Sequence, residues 1–233
     1  MRGKANFDAP KFGASADVEL AVLASGFARL EFIGPLGIRV ALLQINRDWV
    51  YLFVPREKSV IRFPTAELSK DTIRRERFLS LLPIPVVPEA FFLGLLSQVG
   101  GLEETLKNPK NIVACDIDPE SRSYVLRIPG TSVDPNGGRF VWVDGVDYYP
   151  IKIAYFERSL PKTWNEKTTR PSFQIDYSNF SGLGTSTLPR HFQLMVQNEK
   201  VLDFEWDSAE LWENPDMTVF DWRPSASMTV RDY

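Results

Sequence analysis

Much of the chain alternates between apolar and polar residues with a period of two, which is typical of a β-strand with one buried and one exposed face. Leu30 and Phe32 alternate with Arg29 and Glu31, for example, and the same rhythm returns along the chain as far as Trp206. Short connections separate these segments, so neighbouring strands are predicted to pair in antiparallel fashion. The pattern predicts a mainly β fold of about eleven strands in one strongly curved antiparallel sheet, an unclosed or closed barrel.

The alternation stops in the middle of the chain. Residues 65–82 carry charges in no strand rhythm, and the prolines of "LLPIPVVP" exclude a regular helix at that point. By contrast, "EAFFLGLLSQV" (89–99) is predicted to be a short apolar helix with Pro88 at its start, and Gly100-Gly101 ends it. We therefore expect a helical insertion at about 65–100 that covers the concave side of the sheet as a lid.

The β region with its insertion is predicted to form a single domain, residues 1–209. Residues 210–233 contain prolines and aspartates and have only weak periodicity. This C-terminal extension is predicted to be an extended tail, with a strand at "MTVFDW" (217–222).

Composition narrows the classes of function. The 233 residues carry a formal net charge of −3, which provides no positive field for nucleic acid, so no nucleic-acid partner is expected. A single cysteine, Cys115, excludes an internal disulfide, and together with a single histidine, His191, it does not make the ligand set of a zinc site. No apolar run reaches the length of about eighteen residues that a membrane-spanning helix needs.

Signatures of catalysis are lacking in the sequence: it contains no GxSxG elbow, no P-loop, no CxxC pair and no HExxH motif. Asp116 and Asp118 would share a strand face, as a pair of ligands for a hard cation would, but solvated carboxylates at the edge of a turn are the simpler interpretation. His191 lies on the more polar side of its strand and is interpreted as a surface or hydrogen-bonded residue. The chain is therefore predicted to be non-enzymatic, with no metal and no cofactor.

One turn departs from the rule that turn tips are polar. In "LEFIGPLGIRVALLQI" (30–45), two strand-like runs flank the turn 34–37, and its tip carries Leu36. An apolar tip suggests contact with another apolar surface, and the alternative is that Leu36 folds back onto its own sheet. In the same way, the apolar strand faces either fill a solid core or line a cavity for an apolar ligand.

Three stretches resemble a known family in their order along the chain. They are "LEFIGPLGIRVALLQIN", "LLPIPVVPEAFFLGLL" and "LPRHFQLMVQNEKVLDFEW", and they are similar to the early PLG turn, the PIP loop with its helix, and the closing hairpin of the LolA/LolB superfamily. The likeness extends over about residues 15–210 and is to LolB-like outer-membrane lipoprotein receptors in particular.

The resemblance implies an unclosed antiparallel barrel with helices over a hydrophobic cavity. It implies a non-enzymatic protein of the bacterial cell envelope that accepts lipoprotein acyl chains or other lipid from a periplasmic LolA-like carrier. Such a receptor then delivers lipoproteins to the inner leaflet of the outer membrane. A leucine in the PLG turn of the family protrudes into solvent and is needed for delivery, so Leu36, with Pro35, is the predicted membrane-contacting or cargo-transfer loop. The predicted lining of the lipid cavity is Leu20, Leu30, Phe32, Val40, Leu42, Ile61, Phe91, Phe92, Leu95, Leu96, Ile153 and Phe204.

The same resemblance places the protein at the periplasmic face of the outer membrane as a lipid-anchored protein, although the chain carries neither a signal segment nor a lipidation cysteine near Met1. It also departs from the family in residues 210–233, which go beyond the usual end, and in "SQVGG", where the receptors have a Pro-Gly. The main alternative is a cell-envelope protein interaction module that has the same sheet, a filled core and no lipid cargo. A lipid hydrolase is a third hypothesis, and it requires a nucleophile and a base that converge in the cavity.

Overall fold

The computed structural model describes residues 2–9, 12–23, 27–54, 58–64, 112–129, 138–156, 159–165, 168–183, 186–196, 198–210 and 216–232. These residues form two compact units. Unit 1 comprises the described residues of Met1–Val87, Gly182–Ser186 and Phe204–Tyr233, and unit 2 comprises those of Pro88–Ser181 and Thr187–Asp203. The predicted helical lid at 65–100 lies outside the described residues. Among the helices of the described ranges, none is long and apolar enough to cross a membrane.

Strands make up most of the described structure. They are β1 (Arg2–Ala9), β2 (Phe12–Leu23), β3 (Phe27–Ile33), β4 (Arg39–Ile45), β5 (Trp49–Val54), β6 (Ser59–Pro64), β7 (Ala114–Asp118), β8 (Ser123–Pro129), β9 (Gly138–Asp144), β10 (Pro150–Phe156), β11 (Phe173–Leu183), β12 (Ser186–Val196), β13 (Glu199–Ser208) and β14 (Thr229–Asp232). Two short 3₁₀ helices, Pro35–Gly37 and Met217–Phe220, are also described.

In unit 1 the strands follow the hydrogen-bonding order β14-β6-β5-β4-β3-β2-β1. Strands β1 to β6 are antiparallel to their neighbours because each is joined to the next by a short connection. Leu30 on β3 lies opposite Leu20 on β2 and Leu43 on β4, so these three buried side chains share one face of the sheet, which we call face A. The other face, which carries Arg29 and Glu31, is face B.

The C-terminal segment differs from the sequence prediction. The predicted strand at 217–222 is wrong, because Met217–Phe220 forms a 3₁₀ helix. The carboxylate of Asp216 caps that helix and accepts a hydrogen bond of 2.9 Å from the backbone N–H of Thr218. The strand comes later, as β14, and it pairs in parallel with β6 at the edge of the sheet.

This C-terminal segment packs on face B of the unit 1 sheet. The Trp222 ring lies 5.4 Å from the Phe53 ring, measured between centroids. Gln44, a fully buried amide on β4, donates a hydrogen bond of 2.7 Å from Nε2 to the carbonyl oxygen of Phe220. Aromatic contact and a buried hydrogen bond together hold the segment against the sheet.

In unit 2 the strand order is β7-β8-β9-β10-β11-β12-β13, and β13 belongs to this unit only as far as Asp203. Each strand from β7 to β11 pairs in antiparallel fashion with the next. Both faces of this sheet carry apolar side chains. Val141 and Ile153 lie opposite each other on one face, whereas Phe140 and Ala154 lie opposite each other on the other. On the second face, Phe140 joins a buried cluster with Trp142 and their neighbours.

The predicted fold class is confirmed. The structure is mainly β, its strands are antiparallel apart from β14, and in neither unit does the described strand order close on itself. The structure describes fourteen strands against about eleven predicted, and two of the additional strands are β1 and β14, which were not among the segments with a clear alternation. The division into residues 1–209 and 210–233 stays a prediction.

Candidate functional site

The loop between β3 and β4 holds Leu36 in solvent. Its side chain is 96% exposed, and its backbone has a φ of 66°, in the left-handed region. The loop is closed by a hydrogen bond of 2.8 Å from the N–H of Gly34 to the carbonyl oxygen of Ile38. Gly37, which follows, is also left-handed, with a φ of 71°, a conformation that favours glycine. Leu36 therefore does not fold back onto its own sheet.

The conformation and the exposure of Leu36 are both energetically unfavourable. A left-handed backbone at a bulky residue costs of the order of 1 kcal/mol, and a fully exposed leucine gains nothing from burial. Strained positions of this kind cluster at sites with a function, and an observed strain is a reason to propose one. The side chain is thus placed for contact with something outside the described fold.

More apolar surface continues from the tip of this loop. Ile38 and Val40 are exposed as well. Val40 approaches Gly34 so closely that a Cβ on that glycine would lie 2.8 Å from Cγ2 of the valine, which explains the glycine. Residues 34–40 contain no carboxylate and a single cation, Arg39. The loop is therefore an apolar tip without negative charge.

An ion network anchors the base of the loop. The carboxylate of Glu31, which is nearly buried, is paired with Arg29 and Arg39, and the Nε atom of Arg39 lies 2.9 Å from Oε2. Arg29 also donates a hydrogen bond of 2.8 Å to the carbonyl oxygen of Val219 in the C-terminal segment. Charge-assisted, multidentate contacts of this kind fix geometry. They tie both strands that carry the loop to the segment on face B.

The predicted cavity-lining residues of unit 1 divide between the two faces. Leu20, Leu30, Phe32 and Ile61 are buried side chains of face A, as the paired registers of β2 to β6 require. Leu42 lies on face B, where it packs with Phe53 and Val60, and Val40 is half-exposed where the register of β3 and β4 shifts. The structure thus brings four of these residues together and places two elsewhere.

The remaining predicted residues do not extend the face A group. Phe204 is buried in unit 1, with its ring 4.2 Å from that of Trp206. Ile153 is buried in unit 2. The predicted lid residues Phe91, Phe92, Leu95 and Leu96 lie outside the described residues. Whether any of these side chains lines a lipid cavity stays a prediction.

Unit 2 contains a cleft of about 280 Å³ that the sequence did not indicate. Its lining includes Phe140, Trp142 and Trp164, and the Trp164 ring is perpendicular to that of Trp142, with centroids 4.7 Å apart. Asp116 and Lys162 also line the cleft. None of the predicted lining residues that the structure describes borders this cleft.

His191 has partners on both ring nitrogens. Nδ1 lies 2.7 Å from Oγ of Ser178, and Nε2 lies 2.6 Å from Oδ1 of Asp203. Asp203 also accepts hydrogen bonds from Lys200 at 2.9 Å and from Gln193 at 3.2 Å. Burial raises the pKa of Asp203, but the hydrogen bonds from Lys200 and His191 outweigh it, so that the pKa is lowered.

We interpret this group as a cross-strand polar network. It joins three neighbouring strands of unit 2, and its carboxylate is shared with a lysine and an amide rather than reserved for the histidine. Sequence reasoning identified His191 as a hydrogen-bonded residue but missed Ser178 and Asp203. Cross-strand partners depend on register, and nothing in the local sequence marks them.

In the predicted aspartate pair on β7, Asp118 accepts hydrogen bonds from its own turn. Asp118 accepts hydrogen bonds from Oγ of Ser121 at 2.7 Å and from the N–H of Glu120 at 3.0 Å. The Ser121 hydroxyl, together with these backbone donors, lowers the pKa of the Asp118 carboxyl. Within the described ranges, no group of three or more His, Cys, Asp or Glu residues is arranged to hold a metal ion.

Comparison of the chain with protein families and with curated proteins finds no match. Solved structures do match. A LolA superfamily protein from Nitrosomonas europaea superimposes with a TM-score of 0.57 at 14% sequence identity, over 95% of this chain and 89% of that one. The chain has the fold of this LolA superfamily structure.

Two further structures support the LolA-type fold. A domain described as an outer membrane lipoprotein-sorting protein, from Vibrio parahaemolyticus, has a TM-score of 0.56 at 11% identity, over 94% of this chain and 87% of that one. A DUF1329 family protein from Desulfovibrio piger has a TM-score of 0.56 at 8% identity, over 94% and 88%. The predicted resemblance is thus supported at the level of the superfamily fold, and its LolB-specific part stays a prediction.

Proposed function

We propose that this protein binds lipid or the acyl chains of lipoproteins in the bacterial cell envelope, without catalysis, and presents Leu36 to a lipid surface. The observation that carries the proposal is the strained, fully exposed leucine in a loop without negative charge. The LolA-type fold supports it, since one of the similar structures is described as an outer membrane lipoprotein-sorting domain.

The energetics suit a transient contact. Burial of one leucine side chain is worth roughly 1.5–3 kcal/mol, which is too little for stable anchoring but enough to favour a brief encounter with a membrane. Each methylene of an acyl chain costs about 0.8 kcal/mol in water, so a protein that shields the chain makes transfer possible. Transfer then needs no energy source, provided that the next site binds the chain more tightly.

Acyl chains are proposed to lie against face A. The C-terminal segment occupies face B through Trp222 and Gln44, whereas four of the predicted lining residues meet on face A. In finer detail, we propose a receptor at the periplasmic face of the outer membrane. It accepts cargo from a LolA-like carrier and releases it into the inner leaflet of that membrane.

The test uses Leu36→Asn, because asparagine tolerates the left-handed backbone that Leu36 adopts and so separates function from folding. Delivery of a fluorescent lipoprotein into vesicles of phosphatidylethanolamine and phosphatidylglycerol is measured for both proteins. The variant is expected to keep the unfolding free energy of the wild type and to lose most of the delivery, whereas Leu36→Met retains it. Delivery at the wild-type rate by a stably folded Leu36→Asn protein would contradict this role of the loop.

A second candidate is the interaction module with a filled core. It is favoured by the complete burial of Leu30 and Phe204, which need no lipid to exclude water. The two candidates differ in one property: the module binds no acyl chain, whereas the lipid-binding protein does. Direct measurement of fatty-acid binding therefore separates them.

A further inference from the structure

Large apolar side chains that remain exposed are concentrated in two places of the described structure. One is the loop at Leu36. The other lies in unit 2 and consists of Ile117, Tyr124, Val146 and Tyr148, of which Val146 is 79% and Tyr148 is 68% exposed. Contiguous exposed apolar surface on a soluble protein marks a contact site more often than chance placement. We call this second group the turn surface.

The four side chains form a single patch. Ile117 on β7 lies directly opposite Tyr124 on β8. The Tyr124 ring stacks on that of Tyr148, with centroids 6.4 Å apart and planes only 11° from parallel. Val146 stands in the turn between β9 and β10, two residues before Tyr148. The turn surface therefore extends over two strands and one turn.

The two turns that carry this patch touch each other. A Cβ on Gly145 would lie 2.5 Å from the carbonyl oxygen of Arg122, so the turn after β9 packs directly on the turn after β7. Asp144 caps its own turn and accepts hydrogen bonds of 2.8 Å from the N–H groups of Val146 and Asp147. The side chains at the patch are thus held by closed turns rather than by an open loop.

Carboxylates dominate the charge around the turn surface. Segments 116–124 and 144–148 contain a single cation, Arg122. Of their five carboxylates, Asp116 and Asp118 alternate with Ile117 on β7 and line the cleft, and Lys152 is close enough to Asp118 to help lower its pKa. The other three, Glu120, Asp144 and Asp147, lie in or next to the two turns that carry the patch. Hydrogen bonds from backbone N–H groups lower the pKa of Asp144, as the Ser121 hydroxyl does for Asp118, so both stay ionised at neutral pH.

We propose that the turn surface is a docking site for a partner protein whose contact area is basic around an apolar centre. Tyrosine and valine side chains supply the apolar centre of an interface, and the carboxylates around them select a positively charged rim. The same carboxylates argue against a membrane as occupant, because anionic headgroups repel them and their burial is costly. The loop at Leu36, which lacks carboxylates, does not have this obstacle.

The charge pattern sets the expected behaviour of the complex. Charges at the rim of an interface act mainly on the rate of association and on its salt dependence. Aromatic side chains at the centre act mainly on dissociation. Affinity for the partner should therefore fall with rising ionic strength and should fall again when the apolar centre is made polar.

The experiment starts with a photo-cross-linking amino acid at position 146 of the full chain in its native cells. The protein joined to it is identified, purified and titrated against the wild type and its variants at low and high salt. Glu120→Lys is expected to weaken binding about tenfold at low salt, and Val146→Ser to weaken it at both salt concentrations. Matched controls on exposed positions of unit 1, Asp207→Lys and Val230→Ser, should leave the affinity within about twofold.

Each other outcome overturns the proposal. A cross-link at 146 to lipid alone, or no protein adduct, would contradict the claim that the turn surface binds a partner protein. If the affinity of the partner is independent of salt, or is unchanged by Glu120→Lys, the contact area of the partner is not basic and the proposal is wrong. Lipoprotein delivery by the Leu36→Asn variant is measured separately, so the failure of the turn surface does not decide the proposed function.

Discussion

At the scale of single residues, sequence pattern and structure agree on what is unusual about Leu36 and differ on its neighbours. The apolar tip is visible in the sequence, and the structure places its side chain in solvent. The face of Leu42 was not predictable, because β4 is apolar on both sides and alternation cannot tell which side faces Leu30. Only the register, with Leu30 opposite Leu43, decides that Leu42 lies on face B.

The polar network around His191 allows a prediction about pH. Asp203 has a lowered pKa in the folded protein, so its contribution to stability is present above the unfolded value of about 3.9 and is lost as the pH falls through the folded value. Asp203→Asn is therefore expected to lower the free energy of unfolding at pH 7 and to have a smaller effect at about pH 3. Denaturant unfolding at both pH values measures the difference.

The control for that measurement is Asp207→Asn, an exposed position on the same strand. We expect this variant to change the free energy of unfolding by less than about 0.5 kcal/mol at either pH. An effect of Asp203→Asn that is equally large at both pH values would show that the ionised carboxylate is not the stabilising group.

At the scale of secondary structure, strands with a clear alternation were predictable, whereas the C-terminal segment was not. The predicted strand at 217–222 is a 3₁₀ helix because Asp216 caps it, a local contact that competes with the extended conformation. Strand β14 could not be predicted from an alternation of apolar and polar residues, because all four of its residues are exposed. It forms by parallel pairing with β6 at the edge of the sheet. Edge pairing of this kind is a tertiary effect.

Trp222 is expected to hold the C-terminal segment on face B. Its ring contacts those of Phe53 and Tyr51, and it is partly exposed, so Trp222→Ala should cost about 2 kcal/mol of unfolding free energy, below the range for a fully buried tryptophan. The adjacent Arg223→Ala, at an exposed position, should cost less than about 0.5 kcal/mol. Equal effects of the two variants in denaturant unfolding would contradict the packing of the segment.

At the scale of the whole molecule, the LolA-type fold persists at sequence identities of 8–14%. Such a fold depends on a period-two apolar pattern and short connections, which many sequences satisfy, so the mainly β architecture was predictable from alternation. The site was predictable only where one residue broke a local rule, at Leu36. The turn surface was not, because Tyr124 and Tyr148 are distant in sequence and meet only through the pairing of β8 and β9.

The central claim is that the protein binds acyl chains, and the most direct test is titration of the delipidated protein with a fluorescent long-chain fatty acid. The account predicts saturable binding that a non-fluorescent fatty acid displaces. It also predicts that Leu30→Glu on face A weakens binding more than Leu42→Glu on face B, when each variant is compared at matched folded fraction. Absence of saturable binding to the folded wild-type protein would contradict the account and favour the interaction module with a filled core.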